Sequence, residues 1–200
     1  EGFITVKEAA NVSLFALMHD IGHGPFSHCI EGLAPQSGDE DENGLMVLKF
    51  LKKEIKSAGG DYALIENMFS HRNPLYKIVM DKNVGMDKLD YLERDVYHTG
   101  FGQRPDIESI LNYLVYLEEE LVIDKKSLEA VKQMQRLYIY MYKEVYLHKS
   151  SLISQRFLVK MLAIWLETAK VRPDELWLMN DKELIGEIYK TPKDDIQFMY

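Results

Sequence analysis

The stretch ALMHDIGHGPFSH, residues 16–28, gathers His19, Asp20, His23 and His28 around two glycines and a proline. His19 and Asp20 are neighbours at an expected helix end. Their side chains diverge by about 100°, yet both reach a single ion that lies off the helix terminus. Imidazole nitrogen and carboxylate oxygen suit divalent metals such as Zn, Fe, Mn or Mg. Gly22 and Gly24 permit a sharp turn and a close approach of backbone to ligand. His23 falls on that turn, and His28 falls about one turn into the next helix with Glu31 three residues on. These groups form a rim able to give or take protons near neutral pH. A lone His–Asp pair says little, because a capping Asp and a surface His explain it equally well. The whole string, with its pair, its turn and two further histidines, is what points to chemistry.

A second string, GMDKLDYLERDVYHTG, covers residues 85–100. At helical spacing, Asp87, Asp90, Tyr91, Arg94, Asp95 and His98 share one face, and Leu89, Leu92 and Val96 occupy the opposite one. Two readings stand side by side. A solvated amphipathic helix would carry i,i+4 pairs such as Asp90 with Arg94. A wall of a phosphate-and-metal site would carry the same carboxylates, Tyr, Arg and His.

The elements that must position these residues are mostly helices. Thr5 and Glu8 have capping-box spacing, and the helix they open is expected to stop at Gly22 and Gly24, with Pro25 starting a second one. Residues 34–44, APQSGDEDENG, read as a polar acidic loop. Helical patterns resume over 45–58 and close on Gly59 and Gly60. Short helical pieces flank Pro74, and a helix over 86–98 ends at Gly100, with another after Pro105. The run ELVIDKK suggests one short β element near 121–124. A long helix from Ser127 to about His148 follows, with further helices over 151–170 and 181–190. The fold class is therefore all-α. The expected organisation is a core over 1–150 and a helical extension over 151–200.

The 200 residues are 46% hydrophobic and 28% charged, an ordinary globular composition. The formal net charge of -8 argues against a surface built to hold nucleic acid. An anionic substrate would need a metal or clustered cations at one site. Cys29 is the sole cysteine, which excludes an intrachain disulfide and suggests a reducing compartment. No apolar run reaches the roughly 18 residues of a membrane span, so a cytoplasmic protein is expected. The chain begins without Met and ends on DDIQFMY, which reads as a cut at both ends.

HDIGHGPFSH followed by MDKLDYLERDVYHTG resembles the HD-domain phosphohydrolases, particularly the deoxynucleoside triphosphate triphosphohydrolase branch, over about residues 12–150. The resemblance implies one divalent metal (Mg, Mn, Fe, Zn or Ni) held by His19, Asp20 and Asp87. His23, His28 and Glu31 are implied as catalytic groups. Lys88, Tyr91 and Asp95 would contact the nucleotide's phosphates and sugar. VYLHK resembles a further family stretch, which implies Tyr146, and with it His148 and Lys149, near the nucleotide; the other tyrosines of YIYMYKEVYLHK read as core. The family also carries an earlier metal-binding His in a segment like HTRFEHS. No His precedes His19 here, so that ligand is expected upstream of Glu1. Asp41 stands where relatives often carry an active-site His.

The expected activity is metal-dependent hydrolysis of deoxynucleoside triphosphates to deoxynucleoside and tripolyphosphate, with Lys88 and Arg94 neutralising phosphate oxygens. The alternatives are an HD phosphohydrolase acting on a monophosphate or cyclic dinucleotide, and a non-catalytic nucleotide-sensing module. DKLDY together with VYLHK favours the triphosphate branch. The family also implies a dimer or tetramer and a nucleotide activator.

Overall fold

The structure, a computed structural model, describes residues 4–31, 33 and 40–191. It is mostly helical, and the strands among the described residues form one two-stranded sheet. The chain divides into two compact units. The first comprises residues up to Met18 and Lys52–Ser151; the second comprises His19–Leu51 and the chain from Leu152 onward.

The first unit opens with α1 (Val6–Met18). As expected, Thr5 and Glu8 cap it: the Glu8 carboxylate accepts from Thr5 N at 2.7 Å, and the Thr5 hydroxyl accepts from Glu8 N at 3.1 Å. Next come α4 (Lys52–Ser57), α5 (Tyr62–Phe69) and α6 (Tyr76–Met80). The helix α7 (Met86–Thr99) ends on Gly100, whose φ of 70° is the left-handed conformation that the expected stop requires. Gly85 precedes it for want of space, since a Cβ there would lie 2.4 Å from the carbonyl oxygen of Val79. After α8 (Ile107–Tyr113), β1 (Leu114–Leu117) pairs antiparallel with β2 (Glu120–Ile123). The expected β element is β2. Its partner β1 was not foreseen, because Glu118 and Glu119, at φ 50° and 66°, make a tight hairpin turn without the usual Asn or Gly.

Residues 127–148 are not one long α-helix. α9 (Leu128–Met141) passes into a π-helical turn, Tyr142–Tyr146, closed by Leu147 N donating to Tyr142 O at 2.8 Å. A wide turn of this kind rotates the residues after it relative to a regular helix. Leu89, Leu92 and Val96 of α7 pack with Ile110, Met134, Leu137 and Met141 in the core of this unit. The sequence-predicted apolar face of α7 is therefore the buried one.

The second unit holds α2 (His28–Glu31), α3 (Glu40–Phe50), most of α10 (Lys149–Ala169), a 3₁₀ segment (Pro173–Leu178) and α11 (Asp181–Lys190). The expected acidic loop needs correction at its end: Asp41–Gly44 lie within α3, and the stretch 34–39 falls outside the described residues. Ile30, Leu162, Trp165, Leu166, Leu176 and Leu184 form the core here. Among the described residues no helix is long and apolar enough to cross a membrane.

Candidate active site

α1 ends at Met18, before either glycine, so His19 through Ser27 form a run of turns and Pro25 starts no helix. The left-handed residues of that run are Phe26 (φ 58°) and Ser27 (φ 45°), and Gly22 and Gly24 are not left-handed. Consecutive left-handed non-glycine residues carry strain that the surroundings must hold in place. Two contacts do so. Asp181, the first residue of α11, accepts from Phe26 N at 2.9 Å. Gly24 lies so close to its neighbours that a Cβ would stand 2.5 Å from Ile30 Cδ1 and 3.1 Å from Trp177 Cε3. Gly24 is therefore explained by packing rather than by the approach of a ligand. The same turns make His28 the first residue of α2, not a residue one turn in.

This backbone strings the histidines into one cluster. His19 Nε2 stands 3.2 Å from Asp20 Oδ1, and Asp20 Oδ1 is also 3.8 Å from His23 Nε2. The other nitrogen of His23, Nδ1, lies 3.8 Å from Glu31 Oε1. Glu31 Oε1 meets His28 Nδ1 at 2.6 Å, and the rings of His23 and His28 stand edge to face at 4.9 Å. An ionised carboxylate only accepts, so His28 Nδ1 carries the proton of that hydrogen bond and Nε2 becomes the exchangeable position. His23, His28 and Glu31 offer ligand atoms within 4.8 Å of one another, and two of them, His28 and Glu31, are joined by a direct hydrogen bond. For His19 and Asp20 the separation suits a metal. Two ligands about 2.1 Å from a common ion, at roughly tetrahedral to octahedral angles, lie about 3.0–3.4 Å apart. The imidazole–carboxylate pair at 3.2 Å fits such an ion.

In the first unit, the stripe on α7 separates into two kinds of residue. Asp90 and Arg94 are exposed and pair with each other at 2.9 Å, the arrangement of a solvated helix face. His98 is also exposed, near the end of the helix with its ring against Tyr97. Asp87, Lys88, Tyr91 and Asp95 are half-buried. Asp87 sits in the first turn of α7, where the helix dipole favours a carboxylate. Lys88 holds its ammonium 4.1 Å from the centre of the Tyr138 ring and donates to the Lys82 carbonyl. Burial pulls the Lys88 pKa below the ordinary lysine value, against an opposing pull from Asp81 and Asp87. The π turn brings Tyr146 to Asp95, whose Oδ2 accepts from the Tyr146 hydroxyl at 2.5 Å. Burial first, and then that carboxylate, push the Tyr146 pKa well above the usual tyrosine value. Burial likewise raises Tyr91.

Other expected residues do different work. His148 is exposed and its Nδ1 accepts from Ser150 N at 3.3 Å, which caps the start of α10. Lys149 is exposed as well. Tyr138 and Tyr142 are not simply core: Tyr142 is exposed, and the rings of Tyr138, Tyr142 and Tyr146 follow one another at 4.6 and 5.1 Å. Tyr138 under Lys88 and Asp181 behind Phe26 both escaped the sequence reading. Asp181 lies so far along the chain from the turn that no local spacing links them.

Comparisons with known proteins point to a family. A family described as an HD associated region matches residues 106–199. The chain is 29% identical to the Bacillus subtilis protein YwfO over 153 residues, covering 74% of this chain and 35% of that one. It is 28% identical to the deoxynucleoside triphosphate triphosphohydrolase SAMHD1 homolog of Dictyostelium discoideum over 162 residues, covering 73% of this chain and 32% of that one. The chain thus spans about a third of the length of these relatives. Among solved structures, a phosphohydrolase from Bacteroides thetaiotaomicron superposes with a TM-score of 0.74 at 29% identity, covering 98% of this chain and 50% of that one. A hypothetical protein from Aquifex aeolicus gives the same TM-score of 0.74 at 27% identity, covering 98% of this chain and 56% of that one. Together with the histidine turn and the DKLDY helix, these likenesses support an HD-domain phosphohydrolase related to the deoxynucleoside triphosphate triphosphohydrolases.

Proposed function

We propose that this chain carries the catalytic region of a metal-dependent phosphohydrolase that splits deoxynucleoside triphosphates into deoxynucleoside and tripolyphosphate. The observation that carries the reading is the continuous cluster from His19–Asp20 through His23 to the hydrogen-bonded His28–Glu31 pair. It sets a metal-competent pair and a proton-transfer pair on one short run of backbone.

In this reading His19 and Asp20, with Asp87 from α7, hold one divalent ion; the three offer an imidazole nitrogen and two carboxylate oxygens. A bound ion would neutralise phosphoryl oxygens and make a nearby water a stronger acid. Glu31 fixes the His28 ring through Nδ1, so Nε2 presents its proton to the departing 5′-oxygen as a water oxygen bonds to the α-phosphorus and the bond from phosphorus to the 5′-oxygen breaks. His23 stands edge-on behind it and orients the pair. Lys88 supplies a fixed cation to the phosphate chain, and Tyr91 walls that region. Asp95 and Tyr146, locked to each other, present a shaped polar edge to the sugar. Tyr146 remains a hydroxyl donor through the ordinary pH range, because its pKa is raised. The relatives named as triphosphohydrolases support the substrate class. The same reading makes the protein a cytoplasmic oligomer.

The test is a nucleotide panel on the full-length protein with Mg or Mn, reading inorganic tripolyphosphate by ion chromatography. Tripolyphosphate release from deoxynucleoside triphosphates is expected. Hydrolysis confined to monophosphates or cyclic dinucleotides, or metal and nucleotide binding without turnover, overturns the reading.

A further inference from the structure

A second feature of the unit that holds the histidine turn is a cavity of about 410 Å³ opening beside His28. One wall is His28 and Cys29 at the start of α2. The other is a single stripe of α10 that includes Gln155, Arg156, Val159 and Lys160. The helical spacing of Arg156 and Lys160 sets both cations on the same edge of the cavity. Both are exposed, and no ion pair among the described residues engages either of them. No carboxylate lines the cavity among the described residues, and Glu31, on the same short helix as His28, is hydrogen-bonded to His28. Two free cations and an imidazole therefore face a space with no unengaged acid in its lining, in a protein whose net charge is -8.

We propose that this cavity is a polyanion subsite in which Arg156 and Lys160 bind the terminal phosphates of the substrate chain that His28 protonates at its other end. The proposal rests on the phosphohydrolase reading above and adds to it a basis for chain-length selection. Arg156 supplies a planar fork that matches two phosphate oxygens, and Lys160 supplies a mobile point charge. Gln155 adds an amide donor on the same stripe. A triphosphate carries two groups beyond the reacting phosphate to place in this cavity, and a monophosphate carries none. Binding energy gained on these remote groups distinguishes triphosphate from monophosphate without touching the reacting atoms.

The test uses the full-length protein and the double variant Arg156→Gln/Lys160→Gln, which keeps side-chain length and helix propensity while removing both charges. Inorganic tripolyphosphate is titrated calorimetrically into each. Steady-state KM is measured for a deoxynucleoside triphosphate and for bis(4-nitrophenyl) phosphate, a phosphodiester without a polyphosphate tail. The expected result is about tenfold to a hundredfold weaker tripolyphosphate binding and a matching rise in KM for the triphosphate. The KM for the tail-less diester should be unchanged. Lys160→Arg, which retains the charge, should keep most of the affinity, and circular dichroism shows whether each variant is folded. A folded double variant that binds tripolyphosphate as the wild type does overturns the subsite. A wild type that turns over no nucleotide yet loses tripolyphosphate binding in the double variant overturns the substrate reading and leaves the subsite standing.

Discussion

Two regions of this molecule present chemical groups by opposite means. On α7 the backbone is regular: Leu89, Leu92 and Val96 anchor one side in a core, and Asp87, Lys88, Tyr91 and Asp95 occupy positions that helical geometry dictates. In the run from His19 to Glu31 the backbone has no regular element until α2 and passes through two left-handed residues, Phe26 and Ser27. Its side chains are aimed by contacts made at a distance, from Asp181 to the Phe26 amide and from Trp177 and Ile30 against Gly24. A helix-borne group tolerates loss of its neighbours because the helix survives. A turn-borne group depends on each strut, and the turn is where the proposed proton transfer and two of the three proposed metal ligands are concentrated.

The largest expected effect tests whether both regions serve one ion. Replacing His19 with Ala or Asp87 with Asn should each remove bound divalent metal, read by elemental analysis, and lower turnover by about 10³-fold or more. The two substitutions lie in different units, so equal loss of metal from both is the informative outcome. If Asp87→Asn keeps full metal occupancy, α7 contributes no ligand and the two regions are chemically separate.

Next in size is the proton-transfer pair. His28→Ala should lower kcat by about 10²-fold with metal content unchanged, the lower end of what a general acid contributes. The lower end is expected because the His23 ring stands 4.9 Å away and can relay a proton in its place. Glu31→Gln keeps the shape and accepts one hydrogen bond, but it no longer compels Nδ1 to be the protonated nitrogen, so a smaller loss in kcat follows. An unchanged kcat in His28→Ala would take the proton-transfer role away from α2.

These contrasts also explain what could be read from residue order alone. The boundaries of α7 and its buried face follow a 3.6-residue period, so Gly100 as the stop and Leu92 in the core were legible. That period left open which of its polar residues are solvated. Thr5 and Glu8 announced α1 by the same local logic. The histidine turn was legible as composition and not as geometry. Nothing near Pro25 signals that Phe26 and Ser27 adopt positive φ, because the restraint comes from Asp181 and Trp177 far along the chain. The π turn at Tyr142–Tyr146 was hidden in the same way, since one wide turn leaves the apolar spacing nearly intact while it re-aims Tyr146 at Asp95. Strand β1 was missed because its hairpin turn is Glu118–Glu119, with none of the residues that usually mark such turns.

A middle-sized effect isolates the strut. Asp181→Ala leaves the Phe26 amide to water, a loss of about 0.5–1.5 kcal/mol at a strained backbone. Amide exchange over residues 23–28 should accelerate and kcat should fall about tenfold, while exchange in α7 stays unchanged. Asp181→Asn retains an acceptor oxygen and should recover most of the loss. Acceleration spread evenly over both regions would mean that the turn has no special dependence on α11.

A smaller effect concerns pH on the helix-borne side. Burial lowers the Lys88 pKa, so its ammonium is lost at a lower pH than that of an ordinary lysine. Charge on Lys88 favours phosphate binding, so KM for a triphosphate should rise as pH climbs through that lowered value. The burial term acts on stability with the opposite sign, because deprotonation relieves the penalty of a buried charge as pH rises. Lys88→Arg cannot lose its proton in this range, so its alkaline limb in kcat/KM should move to higher pH. A limb that stays in place in Lys88→Arg belongs to another group.

The smallest expected effect is the one that best separates a helix used for chemistry from one merely exposed to solvent. Asp90 lies three residues from Asp87 on the same helix, carries the same carboxylate and pairs with Arg94 at 2.9 Å. Both partners are exposed, so the pair contributes about 0.3–0.5 kcal/mol and is screened by salt. Asp90→Asn should therefore change thermal stability and turnover within measurement error, and raised ionic strength should erase any residual difference. Side by side with Asp87→Asn, it holds helix, charge type and distance along the chain nearly constant and varies only burial and placement. If Asp90→Asn lost metal as Asp87→Asn is expected to, the half-buried edge of α7 would not be what marks its chemical face, and the ligand assignment would have to shift along the helix.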